Sequence, residues 1–78
     1  MSKELNPKDW EHGPQLRAIR ESKGIPRRKI ASLADISENA LGDIEANRRS
    51  PNYRTLAAIC NALDISISDL LNNPAQER

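Results

Sequence analysis

Nothing in this chain of 78 residues can staple it, because Cys60 is its one cysteine and His12 its one histidine. A domain of this size buries only a modest core, and it normally leans on disulfides, a metal, a partner chain or very regular helix packing. An internal disulfide needs a second thiol, and a metal cage needs more than one thiol and one imidazole. Helix packing, helped by dimerisation, is what remains. The side chains agree: Val and Phe are absent, Trp10 and Tyr53 are the only aromatic residues, and Leu, Ile and Ala carry the apolar load. Sheets draw on β-branched and aromatic residues, whereas Leu and Ala suit helices, so an all-α fold is expected. No apolar run approaches the roughly 18 residues of a membrane span. The start MSKELNPKDW has no apolar signal region. With a lone thiol besides, a bacterial- or phage-type cytoplasm is the expected location.

Punctuation along the chain divides it into five short helices. Residues 1–12 show no clean periodicity and are expected to form an arm, with a helical turn from Asn6-Pro7 to Trp10 and the indole packed on the domain. A first helix starts at Pro14, presents Leu16, Ala18 and Ile19 on one face, and stops at Gly24, a residue suited to a left-handed cap. Ile25 plugs the turn and Pro26 opens a second helix, whose inner face is Ile30, Ala31 and Ala34. Asp35 ends it, since Asp tolerates the left-handed conformation. Ile36 fills the turn, and Ser37 caps a third helix over 37–46 with Leu41 and Ile44 inward. Asn47 closes that helix, Asn52 caps a fourth, and Leu56, Ile59, Cys60 and Leu63 give the strongest helical periodicity in the chain. After Asp64 and Ile65, Ser66 starts a last helix carrying Leu70 and Leu71, which Asn73-Pro74 stops. The domain therefore spans 13–73, with a frayed tail over 74–78.

The net charge of +1 conceals a local excess: residues 17–54 carry nine Lys/Arg against five Asp/Glu, while both flanks are acidic. A basic middle is the electrostatic footprint expected of a nucleic-acid binder, although solvated helix faces are often this charged. Arg27, Arg28 and Lys29 load the first turn of the second helix, the end whose dipole prefers acids. That arrangement costs roughly a few tenths of a kcal/mol per charge, which invites a reason outside the fold. Enzyme chemistry lacks its usual groups. There is no Cys/His constellation, no evident carboxylate pair in a pocket and no glycine-rich phosphate loop. Cys60 lies on the apolar face of the fourth helix and reads as a small core residue rather than a nucleophile.

Two short helices joined by a tight turn form a helix-turn-helix unit, and Arg27–Ala46 has its length and turn. The segments LRAIRESKGI, KIASLADIS, LGDIEANRRSPN and TLAAICNALDISISDLL, in that order and spacing, resemble the lambda-repressor/Cro-like (XRE) family of helix-turn-helix DNA-binding domains, from about Gly13 to Leu71. The resemblance implies a compact five-helix bundle and a buried structural ion pair, which falls on Arg20 and Glu45. It also implies a third helix lying in the major groove. Ser37, Glu38, Asn39 and Asp43 then face outward. Asn39 suits adenine N6 and N7, Glu38 suits a cytosine N4 amine, and Ala40 offers a methyl for thymine. Arg27 stands where the family usually has Gln, and with Arg28, Arg48, Arg49 and Arg54 it is expected to meet phosphates. Backbone amides at Ser50–Asn52 add the positive end of the fourth helix.

The third helix departs from what a phosphate-rich groove favours, because it holds Glu38 and Asp43 but no Lys or Arg. Two internal remedies are expected: Arg27 pairs with Glu38, and Asp43 bonds locally to Asn39 or Asn47. Gly42, mid-helix, costs about 1 kcal/mol relative to Ala and leaves room for DNA or a neighbouring helix. The expected function is that of a sequence-specific duplex-DNA-binding transcriptional regulator, a repressor, working as a homodimer on two half-sites about one helical turn apart. No cofactor, metal or small-molecule ligand is expected. Leu33, Ile67 and Leu71 are the candidates for a dimer contact. The rival is a protein–protein interaction module that keeps the fold without affinity for DNA, and the acidic third helix is its main support.

Overall fold

The computed structural model describes residues 10–71, and the only regular secondary structure among them is five helices: α1 (Gly13–Ser22), α2 (Arg27–Leu33), α3 (Glu38–Glu45), α4 (Tyr53–Ala62) and α5 (Ile67–Leu71). The expected turn over Asn6-Pro7, the stop at Asn73-Pro74 and the tail over 74–78 lie outside the described residues. Local chemistry explains where the helices begin. Ser37 Oγ accepts from the Ala40 amide at 3.0 Å, and Asn52 Oδ1 from the Thr55 amide at 2.8 Å. Ser66 Oγ accepts from the Asp69 amide at 2.9 Å while Asp69 Oδ2 accepts from the Ser66 amide at 3.2 Å, a reciprocal capping box. Pro26 sits one place earlier than a first-turn proline: it is the N-cap of α2, in extended backbone.

The first four helices all end in the same way. Gly24, Asp35, Asn47 and Asp64 adopt left-handed backbone, with φ between 60° and 68°. In each case the next amide reaches back to the carbonyl five residues earlier: Ile25 to Arg20, Ile36 to Ala31, Arg48 to Asp43 and Ile65 to Cys60. These are Schellman caps, which satisfy orphan carbonyls and turn the chain sharply. Three of the four place an isoleucine after the turn, half-buried and packed against the core rather than fully enclosed. At the end of α3 the same position holds an exposed arginine, Arg48.

Helices of five to ten residues do not persist alone in water, so the shared core must hold them. Leu16, Ile30, Leu41, Ile44, Leu56, Ile59, Leu63 and Leu70 are almost fully enclosed, with Trp10, Ala31, Ala34 and Cys60 beside them. Through this core α2 packs on α3 and α4, α1 on α3, and α4 on α5. On α1 the inner face is narrower than expected: Ala18 is exposed, and Arg20 is buried instead. Burial, with a smaller contribution from Asp69, pushes the Cys60 thiol from an ordinary 9.0 up to about 11.

Gly13, the first residue of α1, lies so close to the end of α3 that a Cβ there would overlap the Ile44 and Glu45 carbonyl oxygens and Asn47 Oδ1. At Gly42 an added Cβ meets only Arg27 Nη1, at an ordinary 3.6 Å. Gly13→Ala is therefore expected to destabilise the fold by roughly 1–3 kcal/mol through overpacking. Gly42→Ala is expected to stabilise it by up to about 1 kcal/mol through helix propensity. Urea unfolding of the two variants checks both signs. The folded-state thiol pKa lies above its ordinary value, so Cys60 favours folding below pH 9 and loses that contribution as pH rises toward about 11. Thiol labelling at pH 8 is expected to follow the unfolded fraction, with Cys60 unreactive in the native state.

Candidate nucleic-acid interface

Three contacts from the α1 side secure the last turn of α3. The Trp10 indole Nε1 donates to the Ile44 carbonyl at 2.9 Å, in a buried bond. The Gly13 amide donates to Asn47 Oδ1 at 2.9 Å, and left-handed Asn47 is held in place by that bond. Arg20 grips Glu45 with both sides of its fork: Nε to Oε2 at 2.7 Å and Nη2 to Oε1 at 3.2 Å. Its Nη1 donates to the Ile25 carbonyl at 2.9 Å, so the α1–α2 turn joins the same anchor. The hydrogen bond to Glu45 raises the Arg20 pKa above its ordinary value, against the opposing effect of desolvation. The expected Arg20–Glu45 pair is thus present, with side chains only 8% and 5% exposed.

With Leu41, Ile44 and Glu45 turned inward, the opposite side of α3 stands clear. Glu38 and Asn39 are exposed, and Asp43 lies one helical turn beyond Asn39 with its side chain 42% exposed. Ser37 is exposed too, but its hydroxyl is engaged as the helix cap. Ala40 is half-buried and lines a cleft with Ile36, Ile44 and the loop residues Arg49, Ser50 and Asn52. Its methyl therefore lies off the crest formed by Asn39 and Asp43. Arg28, Arg49 and Arg54 are exposed, Arg49 beside Ala40 in that cleft, and Asn52 is exposed at the start of α4 while its side chain caps that helix.

Both expected remedies for the acids of α3 require correction. Arg27 pairs with Glu45, not Glu38: its Nε lies at an ion-pair distance of 3.5 Å from Glu45 Oε1 but is buried without a hydrogen-bond partner. The side chain crosses α3 at Gly42, whose missing Cβ leaves that side open. Asp43 is held by neither asparagine. Arg48 donates from Nε to Asp43 Oδ1 at 3.0 Å, and its Nη2 lies 3.0 Å from the same oxygen. Periodicity gave no sign of the Trp10 and Gly13 contacts, which join residues 34 apart. It also missed Tyr53, 71% exposed at the start of α4. Among the described residues no cluster of three or more His, Cys, Asp or Glu could hold a metal, and no helix is long and apolar enough to cross a membrane.

Two short helices around a tight turn, the second anchored from behind and bare in front, define a helix-turn-helix domain. The chain belongs to the helix-turn-helix family, whose profile matches residues 16–70, and its relatives place it in the lambda-repressor/Cro-like (XRE) branch. It is 34% identical over 59 residues to the immunity repressor protein of Bacillus phage phi105, covering 76% of this chain and 41% of that protein. It spans about half the length of the curated relatives it matches. The crystal structure of the clp gene regulator ClgR from C. glutamicum superposes with a TM-score of 0.77 at 32% identity, over 85% of this chain and 86% of that one. The P22 c2 repressor, solved in complex with a synthetic operator, gives 0.71 at 27% identity, over 76% of this chain and 89% of that one.

Truncating Glu45 to Ala leaves Arg20 buried and unpaired, which is expected to cost about 3–5 kcal/mol. Arg27→Ala removes a partly exposed group that makes no hydrogen bond to Glu45, and is expected to cost under about 1 kcal/mol. Comparing the two denaturation midpoints separates the structural cation from the surface one.

Proposed function

We propose that this chain is a sequence-specific duplex-DNA-binding transcriptional regulator, acting as a repressor, that lays α3 in the major groove. One observation carries this: α3 is clamped along Leu41, Ile44 and Glu45, while Glu38, Asn39 and Asp43 face outward on the unclamped side. In that pose the start of the helix meets base edges. The Asn39 carboxamide suits adenine N6 and N7, and the Glu38 carboxylate suits a cytosine N4 amine. Ser37, Ala40 and Asp43 complete the base-facing set. Arg27, Arg28, Arg48, Arg49 and Arg54, with the backbone around Asn52, meet phosphates, and contacts of that kind fix the register without reading sequence. Relatives solved on DNA, the P22 c2 repressor with its synthetic operator and SinR, support DNA binding.

The binding domain spans 13–73, with Trp10 packed into its core from just before α1. It binds rather than catalyses, works in the cytoplasm, and needs no cofactor or small-molecule ligand. Two copies act together on half-sites about one helical turn apart. Leu33, 59% exposed, and Leu71, 42% exposed, offer apolar surface for that contact, with half-buried Ile67 adjoining. A second reading, a protein-interaction module on the same fold, is favoured by the absence of Lys and Arg from α3.

Titration onto mixed duplex DNA separates the two. A binder that neutralises six or more phosphates is expected to lose roughly a thousandfold in affinity between about 50 and 200 mM salt. No binding even at the lower salt would favour the interaction module. On a site selected from random DNA, Asn39→Ala is expected to relax preference at one base pair and to cost about 1–3 kcal/mol. Unchanged preference would remove Asn39 from the base-facing set.

A further inference from the structure

Asp43 is a poor choice for local stability, and Arg48, a cation that the helix dipole favours at this end, forgoes the core packing of its counterparts. Asp43 lies in the last turn of α3, where the helix dipole disfavours an acid. Arg48 follows left-handed Asn47, in the position that the caps of α1, α2 and α4 give to a core-packing isoleucine. A Schellman cap brings this residue against the side chain five positions earlier, usually in an apolar contact. At the end of α3 that contact is ionic. The Arg48 amide donates to the Asp43 carbonyl at 2.8 Å, and its guanidinium closes on Asp43 Oδ1 through Nε and Nη2, each at 3.0 Å. The two side chains remain 67% and 42% exposed. A surface pair of this kind adds only about 0–1 kcal/mol to stability, which does no more than offset the misplaced acid.

The geometry of the pair offers another role. Both contacts converge on one carboxylate oxygen, while Asp43 Oδ2 carries no hydrogen bond among the described residues. Asp43 also lies one helical turn from Asn39 on the outward side of α3. Resting on the DNA-binding proposal above, we infer that Asp43 and Arg48 recognise DNA as one unit. Arg48 is the positioning residue, holding one oxygen of Asp43 and cancelling its charge against the phosphates. Asp43 is the specificity residue, turning its other oxygen to an amino group on a base edge, such as cytosine N4. The guanidinium Nη1 remains available to a phosphate on the same side.

The test uses the whole chain and its selected site, with affinities measured for each base change along that site. Asp43→Ala and Arg48→Ala are each expected to weaken discrimination at the same single base pair by about tenfold, the size of one lost base contact. The double variant is expected to be no worse there than either single one, because the second change removes an interaction already lost. Circular dichroism is expected to show all three folded. If Arg48 served phosphate alone, Arg48→Ala would weaken every sequence evenly and lower the salt slope by about one, leaving preference intact; that result overturns the inference. An even rise in affinity for all sequences in Asp43→Ala would also overturn it, by making Asp43 a repelling charge only. Absence of wild-type binding would overturn the proposed function and this inference together, whereas the other two results leave the proposed function standing.

Discussion

The carboxylate of Glu45 decides which way α3 faces. An eight-residue helix is only about 12 Å long and has no persistence of its own. Each residue advances it by about a quarter turn, so an outward face exists only if rotation about the axis is fixed. A planar guanidinium can grip a carboxylate with both arms only in one relative orientation. Arg20 does so in near-complete burial, with the Trp10 and Gly13 bonds completing the anchor on the same turn. Desolvating two charges offsets much of their attraction, so the pair is poor evidence of net stability. Its contribution is orientation: one stiff joint where apolar packing alone would tolerate slippage.

The other constraint is the turn. Four successive helices leave through left-handed residues, and three of those are Asp or Asn rather than Gly. Each non-glycine residue there costs roughly 1–2 kcal/mol, reduced where a short polar side chain bonds locally. In return the chain reverses within a few residues, and the isoleucine after each of three turns seals the core edge. The tight α2–α3 connection through Asp35 and Ile36 is one such turn, so the helix-turn-helix unit is built from the same joint that shapes the rest of the domain.

Helix boundaries were legible because caps and stops act within a few residues: Ser37, Asn52, Ser66, Gly24 and Asp35 announce themselves without reference to anything distant. The Arg20–Glu45 pair was legible only through family resemblance, since nothing in helical spacing joins residues 25 apart. Local spacing places Gly13 only as the residue before Pro14. Its need for a missing Cβ arises from α3 carbonyls brought to it by the tertiary fold. Arg27 was matched to Glu38 by helix adjacency alone, but the register between α2 and α3 carries its side chain past Gly42 toward Glu45. The Asp43–Arg48 contact differs in kind. A left-handed Asn47 already implies that residues five apart around it will meet, so that pair follows from cap geometry alone.

The proposed pose sets an acidic helix against a polyanion, which is less contradictory than its composition suggests. Of the three acids on α3, Glu45 is buried against Arg20 with Arg27 nearby, and Asp43 is held by Arg48. Only Glu38 has no cationic partner among the described residues, and it occupies the first residue of the helix, where the dipole supplies about half a positive charge. Screening then separates two distances. Beyond roughly 8 Å, at physiological salt, a paired acid contributes little field, so the surrounding exposed arginines dominate attraction. At contact distance the same carboxylate still presents a directional acceptor, because pairing removes its net charge without occupying all of its lone pairs. Charge that would repel at long range can therefore remain useful at short range where the acid carries its own cation on the same chain.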